Sequence, residues 1–314
     1  MEEALYSDLG FFNTDQVRSD KEGDFLTSPE VSKYFGKIIR NWIHSESNLK
    51  NIIEIGSGTG SLIEQIGIKE ITAVELSSTA REELIKKGID THTTIDELTT
   101  KTSDLIFGNE ILDNIPCSIG LYKDEGWYEK VVLLEENSLA YGLRPIRNEE
   151  LDWINKNNIV PNEDYEFEIQ VNIDKFLNSV IKKINPGKIL LFDYGYEQKN
   201  RDKRMYSSLL RTYKNHHLSV DPIDDPGNID ITYDVNFSSI SSELKYLGYD
   251  VTLKLQRDFL LDNGFNIFFD ELQEKYISAD GIEKLKINSE LNGMKAIVDS
   301  NGLGGFYCLI AEKL

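Results

Sequence analysis

The sequence feature that most constrains the fold is a strand-like run followed by three closely spaced glycines. Residues 52–55 read Ile-Ile-Glu-Ile, and glycines follow at positions 56, 58 and 60. Glycine lets the backbone turn tightly and brings it close to a ligand, which is the use it has after the first strand of nucleotide-binding folds. The segment that begins at Ser61 has the character of a helix start. The stretch therefore predicts a strand, a ligand-binding turn and a helix.

The chain on the C-terminal side of this turn continues to alternate between strands and helices. Strands are predicted at residues 71–76, 91–95 and 104–108, and Ser77-Ser78 can cap a helix that runs to about residue 87, where Gly88 ends it. Strands that are apolar throughout and are separated by helices are typical of a parallel sheet covered on both faces. The fold class predicted from this pattern is α/β.

The alternation is interrupted after Pro116. Residues 120–145 alternate in polarity between turn-forming stretches, which predicts an antiparallel meander. A helix is predicted from residue 176 until Pro186-Gly187 ends it, and the composition of residues 201–230 resembles that of a loop. The remaining elements are predicted as strand 188–196, helix 237–247, strand 251–255 and a last strand at 306–311.

Charge and composition exclude several classes of function. The 54 acidic and 34 basic residues give a net charge of −20, which opposes binding to nucleic acids and anionic membranes and permits a basic protein partner. The N-terminus has no signal-peptide pattern and no apolar run approaches the length of a membrane span, so a cytoplasmic protein is predicted. The two cysteines, Cys117 and Cys308, are far apart and no histidine has ligand spacing, so no metal site is predicted.

The ligand of the glycine turn is predicted to be cationic and free of phosphate. A dinucleotide-binding turn would need glycine at position 61, where the chain has Ser61, and no lysine follows as in a P-loop. Glu54 precedes the turn and would repel a pyrophosphate, whereas it would attract the ammonium and sulfonium groups of S-adenosylmethionine. Glu75 lies at the end of the second predicted strand, where an acid can accept both ribose hydroxyls. A nicotinamide oxidoreductase is thereby disfavoured.

A second group of polar residues follows the strand at 104–108. Asn109 could hydrogen-bond a substrate nitrogen or the cofactor, and Glu110 and Asp113 would share one face if the segment is helical. In an open α/β sheet this edge is where ligands bind. The alternative is that the segment is only a capped helix start.

A third segment precedes the first strand, at residues 23–32. Ser28 is suited to cap a helix, and Pro29 is suited to its first position. Taken alone, the segment predicts only a well-formed helix start.

Together these segments resemble the MidA-type family of S-adenosylmethionine-dependent methyltransferases, which includes a mitochondrial complex I assembly factor that methylates arginine. The similar stretches occur in unbroken order over most of the chain. They are residues 23–30, 54–60, 109–116, 191–195 and 210–237.

The resemblance implies a class I methyltransferase fold, with a Rossmann-like sheet and an inserted substrate-covering lobe. Residues 1–45 would form a helical segment that covers the cofactor. Residues 46–116 and 186–314 would form the core, and segments 117–185 and 197–236 would form the lobe. The sequence does not predict the oligomeric state.

The resemblance also implies the residues of the site, with S-adenosylmethionine as cofactor. The glycines would line its methionine part, Glu75 would hold the ribose, and the segment around Ser28 would close over it. Asn109 would face the methyl group. The implied cofactor-binding residues are Thr27, Ser28, Pro29, Glu54, Gly56, Ser57, Gly58, Gly60, Glu75 and Asn109.

The implied acceptor is an arginine in a basic segment of a partner protein. A carboxylate can orient a guanidinium through two hydrogen bonds and accept a proton from it. Glu110 is the first candidate for this catalytic role, with Asp113 and Asp193 as reserves, although Asp193 could instead bind backbone amides. The alternatives are a methyltransferase for a small molecule and an S-adenosylmethionine-binding assembly chaperone without turnover.

Two positions in the resembling region depart from the family pattern. Tyr233 stands where a small residue is usual, and Asn236 stands where aspartate is usual. Both belong to the predicted lobe, so they bear on the substrate more than on the cofactor.

Overall fold

The computed structural model describes residues 1–13, 27–46, 49–136, 138–203, 209–214, 217–218 and 221–313. Parts of two predicted motifs, residues 23–26 of the first and residues 215–216 and 219–220 of the second, lie outside the described residues. In the described part, the helices are α1 Glu2–Tyr6, α2 Ser28–Val31, α3 Tyr34–Ser45, α4 Ser61–Ile66, α5 Ser78–Lys86, α6 Asn148–Lys156, α7 Val171–Lys183, α8 Phe237–Tyr246, α9 Gln256–Asp262, α10 Phe265–Ser278 and α11 Gly281–Ile297.

The strands occupy both halves of the chain. They are β1 Ile52–Ile55, β2 Ile71–Val74, β3 Thr91–His92, β4 Ser103–Asn109, β5 Ser118–Lys123, β6 Gly126–Glu135, β7 Ser138–Pro145, β8 Tyr165–Ile169, β9 Ile184–Asp193, β10 Gly195–Tyr196, β11 Leu210–Lys214, β12 His217–Leu218, β13 Asp230–Tyr233, β14 Val235–Asn236, β15 Asp250–Leu255 and β16 Tyr307–Glu312.

A seven-stranded sheet forms the centre of the molecule, in the order β15-β16-β9-β4-β1-β2-β3. Strand β1 pairs in parallel with both β2 and β4, and β4 pairs in parallel with β9. Strand β16 runs antiparallel to both of its neighbours, so the sheet is mixed rather than wholly parallel. Because β1 lies between β2 and β4, the turns after these strands meet at one edge of the sheet.

Both faces of the central sheet are buried, as predicted from its apolar strands. In β4, Leu105 and Phe107 belong to the core beneath α3, α4 and α11, whereas Ile106 belongs to the core beneath α7 and α8. Successive side chains of a strand point to opposite faces, so a strand buried on both sides must be apolar throughout. Burying each such side chain stabilises the fold by roughly 1.5–3 kcal/mol.

A second sheet is formed by residues between β4 and β9 in the sequence. It is antiparallel, with the order β7-β6-β5-β8, and the predicted meander at residues 120–145 forms three of its strands. A small core of its own includes Trp153 of α6 and Phe167 of β8. At the N-terminus, Leu5 and Phe11 pack against Ile231 of β13. The predicted domain boundaries themselves stay a prediction.

Two predicted elements differ in the structure. Helix α7 ends at Lys183, and β9 begins at once with Ile184, so Pro186-Gly187 lie within a strand instead of after a helix. The pairing of β4 with β9 shifts register between Ser103 and Leu105, and this irregularity accommodates the proline. The stretch predicted as loop-like also contains strand β11, which pairs with β13.

Neither a membrane span nor a metal cluster is found in the part of the chain that the structure describes. No helix there is long and apolar enough to cross a bilayer. No group of three or more histidine, cysteine or acidic side chains there is arranged to hold a metal ion.

Candidate active site

The glycine turn between β1 and α4 has the left-handed backbone that its sequence predicts. Gly56, Gly58 and Gly60 have φ values of +68°, +51° and +83°. A Cβ atom on Gly56 would lie 2.4 Å from Cγ2 of Ile111, and one on Gly60 would lie 2.8 Å from Cδ2 of Leu84. Gly60 thus packs against α5 and does not line the cavity described below, whereas Ser57 and Gly58 do.

The close contact at Gly56 predicts the effect of adding a single methyl group. Gly56→Ala should lower stability by about 1–3 kcal/mol, the range for overpacking, and should weaken cofactor binding as the turn shifts. Gly248→Ala is the matched control, because Gly248 has a φ of +85° and no atom within 4 Å of its added Cβ. Chemical denaturation and calorimetric titration would measure both variants. Equal losses in the two would show that only the backbone angle matters.

A cavity of about 260 Å³ opens at the sheet edge where β1, β2 and β4 end. Four carboxylates line it: Glu30, Glu54, Glu75 and Glu110. Among the described residues, the lining contains no lysine, arginine or histidine. Such a cavity favours a cationic ligand and disfavours one with phosphate groups.

Glu54 is the most deeply buried of these four carboxylates, with 2% of its surface exposed. Its Oε2 atom has no hydrogen-bond partner in the described part of the chain. Burial raises the pKa of this carboxyl well above its ordinary value, and the nearby Glu75 carboxylate adds to the shift. Burying a carboxyl group without a partner costs free energy. Contact with a cation would therefore strongly stabilise the ionised form of Glu54.

Glu75 lies at the end of β2 and is held by the backbone. Its Oε2 accepts from the N–H of Gly58 at 2.8 Å, and its Oε1 accepts from the N–H of Ser77 at 2.8 Å. Burial nevertheless raises its pKa. The carboxylate thereby ties the glycine turn to the N-terminus of α5. Its predicted role as ribose ligand stays a prediction.

Glu110 follows β4 directly and has an unusual backbone. Its φ of +54° is in the left-handed region, which is rare for a residue other than glycine and is often found at functional sites. Its Oε1 accepts from Nδ2 of Asn109 at 2.8 Å and from the N–H of Ser28 at 3.2 Å. Burial raises the pKa of Glu110 to about 7. The prediction that Glu110 and Asp113 share a helix face is wrong, because residues 110–116 are not helical.

The segment Thr27–Pro29 covers the cavity from the N-terminal side of the chain. Thr27 and Pro29 line the cavity. Ser28 is fully buried and its Oγ donates to Oε1 of Gln256 at 3.2 Å, while its N–H holds Glu110. The cap residue of α2 is Thr27 rather than Ser28, because the helix begins at Ser28, one residue earlier than predicted.

Asp113 and Asp193 lie behind the cavity and are not part of its lining. Oδ2 of Asp193 accepts from the N–H groups of Leu112 and Asp113, at 2.8 and 3.3 Å, and its Oδ1 accepts from that of Tyr194. These contacts favour the alternative that Asp193 binds backbone amides and has a structural role. Asp113 accepts a hydrogen bond from the hydroxyl of Tyr194, and Arg211 stacks on that tyrosine ring at 4.7 Å. Burial raises the pKa of both aspartates.

The structure adds residues to the site that the sequence did not identify. Tyr6 lines the cavity, and its hydroxyl donates to the carbonyl of Asn114 at 3.1 Å. Tyr233, one of the two departures, donates from its hydroxyl to the carbonyls of Leu112 and Ile115 at 3.0 and 2.7 Å. An aromatic residue far away in the sequence carries no local signal of such a contact. Other lining residues that the sequence did not assign to the site include Phe12, Glu30, Asn114, Ile115 and Phe176.

Comparison with known proteins identifies the family of this chain. A family model described as "Putative S-adenosyl-L-methionine-dependent methyltransferase" matches residues 36–252, which is more than half of the chain. The chain belongs to this family. This membership confirms the predicted methyltransferase activity and the predicted cofactor of the family, S-adenosylmethionine.

Curated relatives of this methyltransferase carry names that add a substrate class. "Protein arginine methyltransferase NDUFAF7 homolog, mitochondrial" of Caenorhabditis elegans is 25% identical over 303 residues, covering 81% of this chain and 68% of the relative. The protein of that name from Drosophila melanogaster is 24% identical, over 70% of this chain and 60% of the relative. "Protein arginine methyltransferase NDUFAF7, mitochondrial" of Danio rerio is 25% identical, over 85% and 72%. Because these relatives are named mitochondrial, the prediction of a cytoplasmic protein is wrong.

A solved structure has the same fold. A Burkholderia thailandensis protein, crystallised bound to S-adenosyl-homocysteine, superimposes with a TM-score of 0.85. It is 22% identical, and the alignment covers 99% of this chain and 86% of that protein. The predicted class I methyltransferase fold is thereby confirmed.

The residues of the cavity fit S-adenosylmethionine. Oε2 of Glu54 and Oδ1 of Asn109 are both buried without a hydrogen-bond partner in the described ranges, and either can accept from an ammonium group. Apolar side chains, including Phe12 and Phe176, supply a surface for the adenine ring. No described basic side chain on the wall would repel the sulfonium.

Proposed function

We propose that this methyltransferase transfers a methyl group to an arginine nitrogen in a partner protein. Two findings support the arginine acceptor: the names of the curated relatives, and the presence of a fixed carboxylate on the cavity wall. The net charge of −20 also suits a basic segment of a partner, which it would attract by long-range electrostatic steering.

The observation that carries the proposal is the placement of Glu110. Its carboxylate faces the cavity with one oxygen anchored by Asn109 and Ser28, so the side chain is held in one orientation. Its pKa of about 7 suits a group that must give up and accept a proton near neutral pH. A guanidinium has a pKa above 12, so a group that accepts its proton during transfer must lie beside it.

We assign each side chain a part in the transfer. When bound, S-adenosylmethionine would supply an electrophilic methyl group on its sulfonium and would leave as neutral S-adenosyl-homocysteine, because the bond between sulfur and the methyl carbon breaks. Glu54 and Glu75 hold the cationic and ribose parts of the cofactor in place. Glu110 orients the guanidinium through charge-assisted hydrogen bonds and accepts the proton that leaves the nitrogen as the new N–C bond forms. Asp193 and Tyr233 act indirectly, because they fix the backbone of residues 112–115.

The test is transfer of a labelled methyl group into the host's own lysate. The full chain and S-adenosylmethionine with a radiolabelled methyl group would be added, and labelled species would be separated and identified by mass spectrometry. Label on arginine of a protein is the expected result, and added salt should slow the transfer by screening the charge steering. Label in a small molecule would overturn the arginine acceptor, and tight cofactor binding without any labelled product would favour an assembly chaperone.

A further inference from the structure

A fully buried glutamine, Gln256, is the first residue of α9. It lies outside residues 36–252, which the family model matches, and it is not part of the cavity lining. A glutamine amide has both donor and acceptor groups, and burying it costs free energy unless these groups are paired. The partners of the amide therefore show what the side chain does.

The two ends of the Gln256 amide pair with different segments of the chain. Its Nε2 donates to the carbonyl of Ile297, at the end of α11, at 3.0 Å. Because a carbonyl can only accept, the amide nitrogen must face Ile297, and the amide oxygen accepts from the Ser28 hydroxyl at 3.2 Å. The backbone N–H of Gln256 also donates to the carbonyl of Phe306 at 2.7 Å. Gln256 thus presents a fixed acceptor to Ser28.

Ser28 connects this buried contact to the cavity. Its N–H donates to Oε1 of Glu110 at 3.2 Å, across 82 residues of sequence. The backbone of Glu110 is held separately, because its own N–H donates to the carbonyl of Phe192 at 2.8 Å. The hydrogen bond between Ser28 and Glu110 therefore depends on where Ser28 lies.

The residues after Ser28 have supports of their own. Nε2 of Gln65 donates to the carbonyl of Pro29 at 2.8 Å. A Cβ atom on Gly293 of α11 would lie 2.5 Å from the carbonyl oxygen of Val31, so the two backbones are in close contact there. Loss of the amide contact to Ser28 should therefore shift that residue without releasing α2 from the fold.

We propose that Gln256 is a positioning residue for methyl transfer, because it holds Ser28 where the Ser28 N–H stays on the Glu110 carboxylate. Gln256 acts only through Ser28, since it does not reach the cavity. This inference rests on the proposed function, in which Glu110 is the base. The hydrogen bond from Ser28 favours the ionised carboxylate, which is the form that can take up a proton.

The groups around Glu110 make this hydrogen bond important. The titratable side chains that surround it in the described part of the chain are the carboxyls of Asp113, Asp193, Glu30, Glu54 and Glu75 and the hydroxyl of Tyr6. None of these groups carries a positive charge. Burial and the Asp113 carboxylate raise the pKa of Glu110 to about 7, whereas the hydrogen bonds from Asn109 and Ser28 act to lower it. Loss of the Ser28 contact should therefore raise this pKa further.

The variant Gln256→Leu tests the proposal, because leucine has a similar volume and no hydrogen-bonding group. Single-turnover rates of the full chain would be measured over roughly pH 6 to 9, with the arginine protein identified in the lysate as acceptor. The midpoint of the rise in rate should move up by about one pH unit. The ionised fraction of Glu110 near pH 7 then falls from about a half to about a tenth, so the rate should fall about fivefold there and change little at about pH 9.

A second variant and a matched control separate positioning from general destabilisation. Ser28→Ala removes the hydroxyl and keeps the N–H, so it should move the midpoint in the same direction, and it keeps the test open if Gln256→Leu does not fold. The double variant should shift no further than Gln256→Leu, because both changes break one contact. Gln170→Leu is the control, since Gln170 is 2% exposed and its amide bridges the backbones of Asp234 and Asn236. It should lower stability and leave the midpoint unchanged; an equal shift in this control would refute the positioning role.

A readout that does not depend on catalysis separates this inference from the proposed function. The carboxyl ¹³C signal of Glu110, identified by its absence in Glu110→Gln, would be titrated in the wild type and in the variants. A raised pKa of Glu110 in Gln256→Leu is the expected result. If the rate did not follow that pKa, the role of Glu110 as base would fail while the hold of Gln256 on its carboxyl would stand. An unchanged pKa of Glu110 in both Gln256→Leu and Ser28→Ala would overturn the inference.

Discussion

Replacing Glu110 with glutamine is expected to lower the rate of methyl transfer by roughly 10²-fold or more, with cofactor affinity changed only a few-fold. Glutamine keeps the shape of the side chain and can still accept from Ser28, but it cannot take up a proton. In the wild type, only the ionised carboxylate can act as base. Because its pKa is about 7, the rate should rise as the pH is raised through this value and then level off.

Single-turnover rates across a pH series would check this expectation, with binding measured separately by calorimetry. The variant should have lost the rise near neutral pH. Glu30→Gln is the matched control, because Glu30 is another carboxylate on the cavity wall and should affect the rate far less. Unchanged turnover in Glu110→Gln, or an equal loss in the control, would remove Glu110 from its role.

The Glu54→Gln variant is expected to bind S-adenosylmethionine at least about tenfold more weakly, which corresponds to about 1.4 kcal/mol. At the same time, its cofactor-free form should be more stable than the wild type. Among the described residues Glu54 has no cationic partner, and burial raises its folded-state pKa well above the unfolded value. Unfolding therefore releases a proton from Glu54, so the wild type loses stability as the pH rises above the unfolded pKa of about 4.3. Glutamine has no acidic proton, so the variant does not lose stability in this way as the pH rises.

Thermal unfolding of the cofactor-free proteins at several pH values would measure the stability difference, which should grow with pH. Calorimetric titration would measure the affinity. Glu82→Gln is a suitable control, since Glu82 is an exposed carboxylate on α5 and should change neither quantity. If Glu54→Gln bound the cofactor normally, the charge argument for the cavity would fail.

The local elements around the glycine turn could be predicted from the sequence because their causes are local. A β-branched run, glycines with positive φ and the cap at Ser77 each depend on neighbours within a few residues. The prediction failed at Pro186, where a shift in strand pairing keeps a proline inside β9. It failed again at residues 110–116, since long-range contacts from Asp193 and Tyr233 fix a non-helical backbone there.

The sequence by itself determined the α/β architecture and the cofactor class, because apolar periodicity and glycine spacing act over short stretches of chain. Only the tertiary structure decided which acids face the cavity. Glu110 reaches its wall, whereas Asp113 and Asp193 lie behind it, and Tyr6 joins the site from the N-terminus. These placements depend on how segments far apart in the sequence pack together, and no local pattern encodes that packing.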